Sequence, residues 1–211
     1  GFHWDRPYRD AFIPATRVPG SWDRGYVQSV GGICTVVGDQ LRFYYIGFKG
    51  GDSSSYMHSN GATGMATLRR DGFASMSTTG EGSLTTHPVK FSGKYMFVNV
   101  NCPAGELKVE ILDKNNKVID GFSADKCKAV TIDSTIQQVE WNGASDLSSL
   151  AGQEVRFRFK LKNGDLYAFW VSPSTNGESN GYVAGGGPGY TSNKDTEGKK
   201  AYEKASGFQK F

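Results

Sequence analysis

The chain has 211 residues, with 24 Lys+Arg against 21 Asp+Glu and a formal net charge of +3. So small an excess, part of it in the C-terminal lysines 194, 199, 200, 204 and 210, argues against a nucleic-acid binder, which needs a basic surface strong enough to release phosphate counterions. No apolar run approaches the roughly 20 residues that cross a bilayer as a helix, so no membrane span is expected.

At 37% hydrophobic residues the chain has enough apolar material for a core. The 28 Gly beside 13 Phe, 10 Tyr and 4 Trp point to many turns between aromatic-rich strands. Residue 1 is Gly and no signal-peptide pattern is visible. The sequence is therefore expected to be a processed form or a piece of a longer protein.

In chain order, period-two patterning recurs and helical periodicity is nearly absent. Ile33–Val37 and Leu41–Ile46 flank Gly38-Asp39-Gln40 and read as a hairpin. Residues 51–64, polar and glycine-rich, read as a linker or loop. Short strands are then expected at Met65–Arg69, Gly72–Ser77, Gly82–Thr86, Val89–Phe91, Tyr95–Asn99, Leu107–Leu112, Ile136–Trp141, Val155–Leu161 and Leu166–Val171. Val155, Phe157, Phe159 and Leu161 alternate with Arg156, Arg158 and Lys160, the pattern of a strand with one buried face. Lys162-Asn163-Gly164-Asp165 reads as a tight turn closing a hairpin with Leu166–Val171. Asp146–Leu150 carries the one helical hint, with Asp as cap. Beyond Pro173 the Gly/Ser/Asn-rich chain is expected to wrap over a surface. Arg69, Arg70 and Asp71 read as a surface ion-pair and turn cluster.

Much chemistry is excluded. His3, His58 and His87 lie far apart and no C-x-x-C occurs, so no metal site is expected, and nothing calls for a cofactor. Cys34 reads as a small buried apolar residue; the spacing of Cys102 and Cys127 permits a disulfide without requiring one. Gly185–Gly189 lacks the Lys of a phosphate-binding loop. Gly177-Glu178-Ser179-Asn180-Gly181 matches the hydrolase G-x-S-x-G spacing, but no helix pattern follows it and every His precedes it.

Phe2-His3-Trp4-Asp5-Arg6-Pro7 and Gly20-Ser21-Trp22-Asp23-Arg24-Gly25-Tyr26-Val27-Gln28-Ser29 place aromatic plates beside carboxylates and amides. Sugars present apolar C–H faces and hydroxyl rims, which such a surface matches; packing of Trp4 and Trp22 between strands is the competing reading. These stretches, with Gly31-Gly32 and the Val37-Gly38-Asp39…Phe43-Tyr44-Tyr45 hairpin, resemble the last blade of a five-bladed β-propeller of bacterial glycoside hydrolases related to invertases, levanases and arabinanases. Ala66–Ser75, Val109–Asp113, Gly121–Ser123, Asp146–Gly152 and Leu166–Trp170 resemble the β-sandwich that follows that propeller.

The resemblance implies an all-β chain: a propeller-blade-like segment over 1–50, the 51–64 linker, an antiparallel, jelly-roll-like β-sandwich over 65–172 and a loop-rich tail over 173–211. One blade takes roughly 40 to 50 residues, so a single copy closes no propeller. In the resembled enzymes the catalytic carboxylates come from earlier blades, so no catalytic residue is assigned. With Tyr26–Val30 as the innermost strand, Trp22, Asp23, Tyr26 and Gln28 become the candidate carbohydrate-binding residues. The expected partners are a polysaccharide or oligosaccharide and the N-terminal blades of a parent protein, in a periplasmic or extracellular setting. The alternatives are a stand-alone carbohydrate-binding module and a structural surface β-sandwich.

Overall fold

The computed structural model describes residues 3, 5–31, 33–51 and 56–208. Phe2, Trp4 and Gly32, quoted above, lie outside the described residues, as do 52–55 of the expected linker. Among the described residues the chain is all-β, with nine strands and one short helix. Strands β1 (Tyr26–Ser29), β2 (Thr35–Val37), β3 (Gln40–Phe48) and β4 (Gly61–Arg69) form one sheet, in which β1, β2 and β4 all pair with β3. Strands β5 (Met76–Thr85), β6 (Tyr95–Asn101), β7 (Glu106–Leu112), β8 (Asp133–Val139) and β9 (Arg156–Ser172) form the second, ordered β5-β9-β6-β8 with β7 also on β9. The chain divides into two compact units, Gly1–Cys34 with Arg42–Thr67, and Thr35–Leu41 with Leu68–Phe211.

In the first unit, Tyr26 lies opposite Phe48, Val27 opposite Gly47, Gln28 opposite Ile46 and Ser29 opposite Tyr45. Directly opposed residues of an antiparallel pair share a face, and successive residues alternate. One face therefore carries Tyr26, Gln28, Ile46 and Phe48; the other carries Val27, Ser29, Tyr45 and Gly47.

In the second unit the expected hairpin at Lys162–Asp165 is not formed: β9 runs unbroken through these residues. The half from Asp165 to Ser172 pairs with β6, the half from Arg156 to Lys162 pairs with β7, and β5 follows both halves on the other edge. The turn between β6 and β7 sits beside Asn163–Gly164. A β-carbon on Gly164 would stand 2.6 Å from the Asn101 carbonyl oxygen, and one on Gly105 would collide with the Lys162 carbonyl. These glycines serve close backbone approach, and Asn163, at φ 44°, bends the strand without reversing it. The residue types of a turn are present, but neighbours on both edges hold the chain extended.

Other boundaries shift too. The two strands expected at Gly72–Ser77 and Gly82–Thr86 are the single β5, irregular between Thr78 and Glu81. Val89–Phe91 contributes one bridge, Val89 to Val155. The helical hint is a 3-10 turn at Ser148–Leu150, with Asp146 Oδ1 accepting the Ser148 N–H at 2.8 Å. The tail holds an unanticipated helix, α1 (Lys199–Ala205), which buries Ala201 and Ala205. At seven residues it is too short for its periodicity to stand out in a lysine-rich segment.

The strictly alternating stretch behaves as read: Phe157, Phe159 and Leu161 enter the core with Val98, Val100, Val109, Ile111 and Leu166. Loop residues Phe122, Trp141 and Leu147 close that face, and Trp141 Nε1 donates to the Val109 carbonyl at 2.8 Å. Cys102 and Cys127 lie buried in this core as thiols, and Cys34 is also buried. On the opposite face Phe97 stacks on Trp170, ring centroids 5.7 Å apart.

Asp71 is exposed, 3.7 Å from Arg70 Nε, in a turn closed by the Gly72 N–H on the Arg69 carbonyl, as the ion-pair and turn reading expects; the two arginines, however, reach inward. Arg69 bonds Asn99 Oδ1, Asp133 and the Val100 carbonyl. Arg70 is buried, its Nη2 2.8 Å from Asp195 Oδ2. A charge so placed requires a buried partner, and that partner stands 125 residues away in the tail.

Candidate functional site

The four sequence-predicted residues fall on two faces of the first unit. Trp22 and Asp23 pack where a β-carbon on Gly47 would point: it would clash with the Trp22 ring and stand 2.7 Å from Asp23 Cβ. They therefore occupy the Tyr45/Gly47 face. Tyr26 and Gln28 occupy the face of Phe48 and Ile46. The pairs are not brought together into one pocket.

The Trp22 side is the better built. Gly47 and Gly64 leave a floor without side chains, and a β-carbon on Gly64 would come within 2.6 Å of both Trp22 Cη2 and Tyr45 Cζ. The indole lies on that floor with Tyr45 beside it, centroids 5.6 Å apart and planes inclined by 35°. Trp22 nevertheless remains 40% exposed, so an aromatic surface stays open to solvent. Asp23 beside it is 5% exposed. Its Oδ2 accepts the Thr16 hydroxyl at 2.9 Å, whereas its Oδ1 is buried and accepts no hydrogen bond from the described residues. A buried carboxylate oxygen without a donor is costly.

On the other face Tyr26, 37% exposed, meets the His58 ring edge-on at 4.7 Å. Phe48 meets the same imidazole at 5.5 Å. Gln28 is exposed. This is an aromatic cluster around one imidazole, with fewer fixed polar groups than the Trp22 side.

Sequence reasoning missed Thr16, Tyr45, Gly47 and Gly64. A signal existed for the glycines, because Gly inside a strand pattern marks close approach of another group. What approaches is not legible locally.

Elsewhere the geometry offers little chemistry. A groove of about 530 Å³ in the second unit is lined by Glu81, Glu106 and Asp125, but also by Lys108, Lys160 and Lys162. Lys162 lies 3.6 Å from Glu81 and Lys108 3.7 Å from Glu106. Glycosidic acid–base chemistry needs one carboxyl kept protonated by an apolar or anionic environment, and the lysine-paired Glu81 and Glu106 are the opposite arrangement. The Ser179 hydroxyl of the G-x-S-x-G stretch donates to Asp195 Oδ2 at 3.3 Å, a structural bond within the tail.

A second tightly built cluster surrounds Arg70. Its guanidinium carbon lies 5.2 Å from the Tyr202 ring centroid and 5.6 Å from that of Tyr190. Burial alone would lower the Arg70 pKa, but Tyr202, Tyr190 and Asp195 outweigh it and hold the value above the ordinary arginine range. Burial pushes both phenols up, against the pull of Arg70. The group reads as a fixed charge in a tyrosine box. Comparison with protein-family models, curated proteins and solved structures finds no match to this chain.

Proposed function

We propose that this chain is the C-terminal accessory part of a glycoside-hydrolase-like protein acting on polysaccharide, and that it binds sugar at Trp22 and Asp23. The observation that carries the reading is the half-open Trp22 ring on its glycine floor, beside the Asp23 carboxyl group. A pyranose or furanose ring lays its C–H face on such a plate and offers a hydroxyl to the carboxylate. The sequence resemblance adds the enzyme context, the blade and sandwich interpretations of the two sheets, and the periplasmic or extracellular setting. The strand order β1-β3-β2 differs from a consecutive four-strand meander, so the reading rests on the Trp22 face and not on blade geometry. The catalytic carboxylates are assigned to N-terminal blades of the parent protein.

Affinity electrophoresis of the chain against gels containing neutral plant and microbial polysaccharides tests this. Retardation by at least one polysaccharide, lost in Trp22→Ala and weakened in Asp23→Asn, is expected. Tyr26→Ala, on the other face, should leave it intact. No retardation by any glycan would favour the structural β-sandwich. Retardation by a chain whose gene encodes no further blades would favour the stand-alone module.

A further inference from the structure

We propose that residues 174–208 form a latched strap over the outer face of the five-stranded sheet, able to open while the sheet stays folded, with the Arg70–Asp195 pair as its latch. This inference is independent of the sugar-binding reading.

Three observations carry it. The strap is organised around Asp195, which is 1% exposed. Asp195 Oδ1 accepts the backbone N–H groups of Glu197 at 3.1 Å and Gly198 at 2.8 Å, while Oδ2 accepts from Ser179 and from Arg70. One carboxylate thus joins two passes of the strap to each other and to the body of the unit.

Tyr190 and Tyr202 of the strap box in the same Arg70, and its other ties are single. Tyr202 shares a hydrogen bond with Thr135 at 2.9 Å. Trp170 Nε1 donates to the Gly177 carbonyl at 3.0 Å, and Val36 N–H to the Gly186 carbonyl at 2.8 Å. Lys199 Nζ stands 5.2 Å from the Phe97 ring centroid. None of these is a strand pairing with β5–β9.

The main core, in turn, does not include the strap. Its buried and partly buried members among the described residues end at Val171. Removing residues 174–208 would uncover Phe97, Trp170 and Thr135, but would leave that core and every ladder of the sheet in place. Among the described residues, the strap's own buried apolar side chains are the small Val183, Ala201 and Ala205. Segments held by few buried apolar contacts open at lower free energy than the element they cover, and here the buried Arg70–Asp195 pair, flanked by Tyr190 and Tyr202, supplies the closure.

Trypsin reads the strap directly, because Lys194, Lys199, Lys200 and Lys204 lie in it while Lys108, Lys160 and Lys162 lie in the sheet. In the full chain, Asp195→Asn keeps the side-chain shape but leaves the buried Arg70 charge with only the exposed Asp71 carboxylate, 3.7 Å from its Nε, as an ion-pair partner. Cleavage after the strap lysines should accelerate on the order of a hundredfold, with the sheet lysines protected. Tyr202→Phe should accelerate it only about tenfold or less. Unchanged strap cleavage in Asp195→Asn overturns the proposal, as does equal acceleration at strap and sheet sites. Should Asp195→Asn fail to fold, the wild-type chain decides in graded urea. Strap cleavage at a lower urea concentration than sheet cleavage supports the latch, and one shared concentration overturns it.

Discussion

Trp22 lies so close above Gly64 that a β-carbon on the glycine would stand 2.6 Å from the indole Cη2. Gly64→Ala must therefore displace Trp22 or Tyr45, at a cost of about 1–3 kcal/mol for overpacking. The variant should melt lower than wild type and lose polysaccharide retardation, because the plate is tilted. Gly80→Ala, with open space around its β-carbon, is the control and should stay within about 0.5 kcal/mol.

The bend in β9 gives a second test. Gly105→Ala sets a methyl group against the Lys162 carbonyl, and Gly164→Ala sets one against the Asn101 carbonyl and Cys102 Cβ. Backbone atoms in a doubly paired strand yield less than a side chain tip. Each substitution should lower stability by about 2 kcal/mol or more, read as a fall in urea midpoint. Were Lys162–Asp165 an ordinary exposed turn, Gly164→Ala would cost far less.

Tyr190 and Tyr202 predict an alkaline limit. Both phenols have folded pKa values raised above the ordinary tyrosine value, chiefly by burial. Below about pH 10 both are neutral in folded and unfolded chains alike, and the stability tied to their neutral forms is fully present. As pH rises past the unfolded value toward the raised folded ones, the unfolded chain releases protons first and stability falls. Urea midpoints should drop above pH 10, and Tyr190→Phe should show a shallower drop.

The thiols predict silence. Cys102 and Cys127 are buried, and burial raises the pKa of each, so the nucleophilic thiolate is both scarce and shielded. In native buffer a thiol-reactive disulfide reagent should modify neither, and in guanidinium it should modify both, as mapped by peptide mass. Native-rate labelling of Cys127 would mean that the core around Val109 and Trp141 opens readily.

Alternation of Val, Phe and Leu with Arg and Lys over Val155–Leu161 placed Phe157 and Phe159 in the core, because side-chain period in a strand follows from backbone geometry alone. The aromatic, β-branched runs and glycine punctuation likewise settled the all-β class, since these preferences act within a few residues. Tertiary structure decided the rest. Lys162-Asn163-Gly164-Asp165 became a bend because two neighbouring strands compete with local turn chemistry. Trp22 and Asp23 parted from Tyr26 and Gln28 because strand pairing, which is a contact between distant segments, sets the face each residue takes. Arg70 went inside because Asp195 came to meet it, and no local pattern announces a partner so remote in the chain.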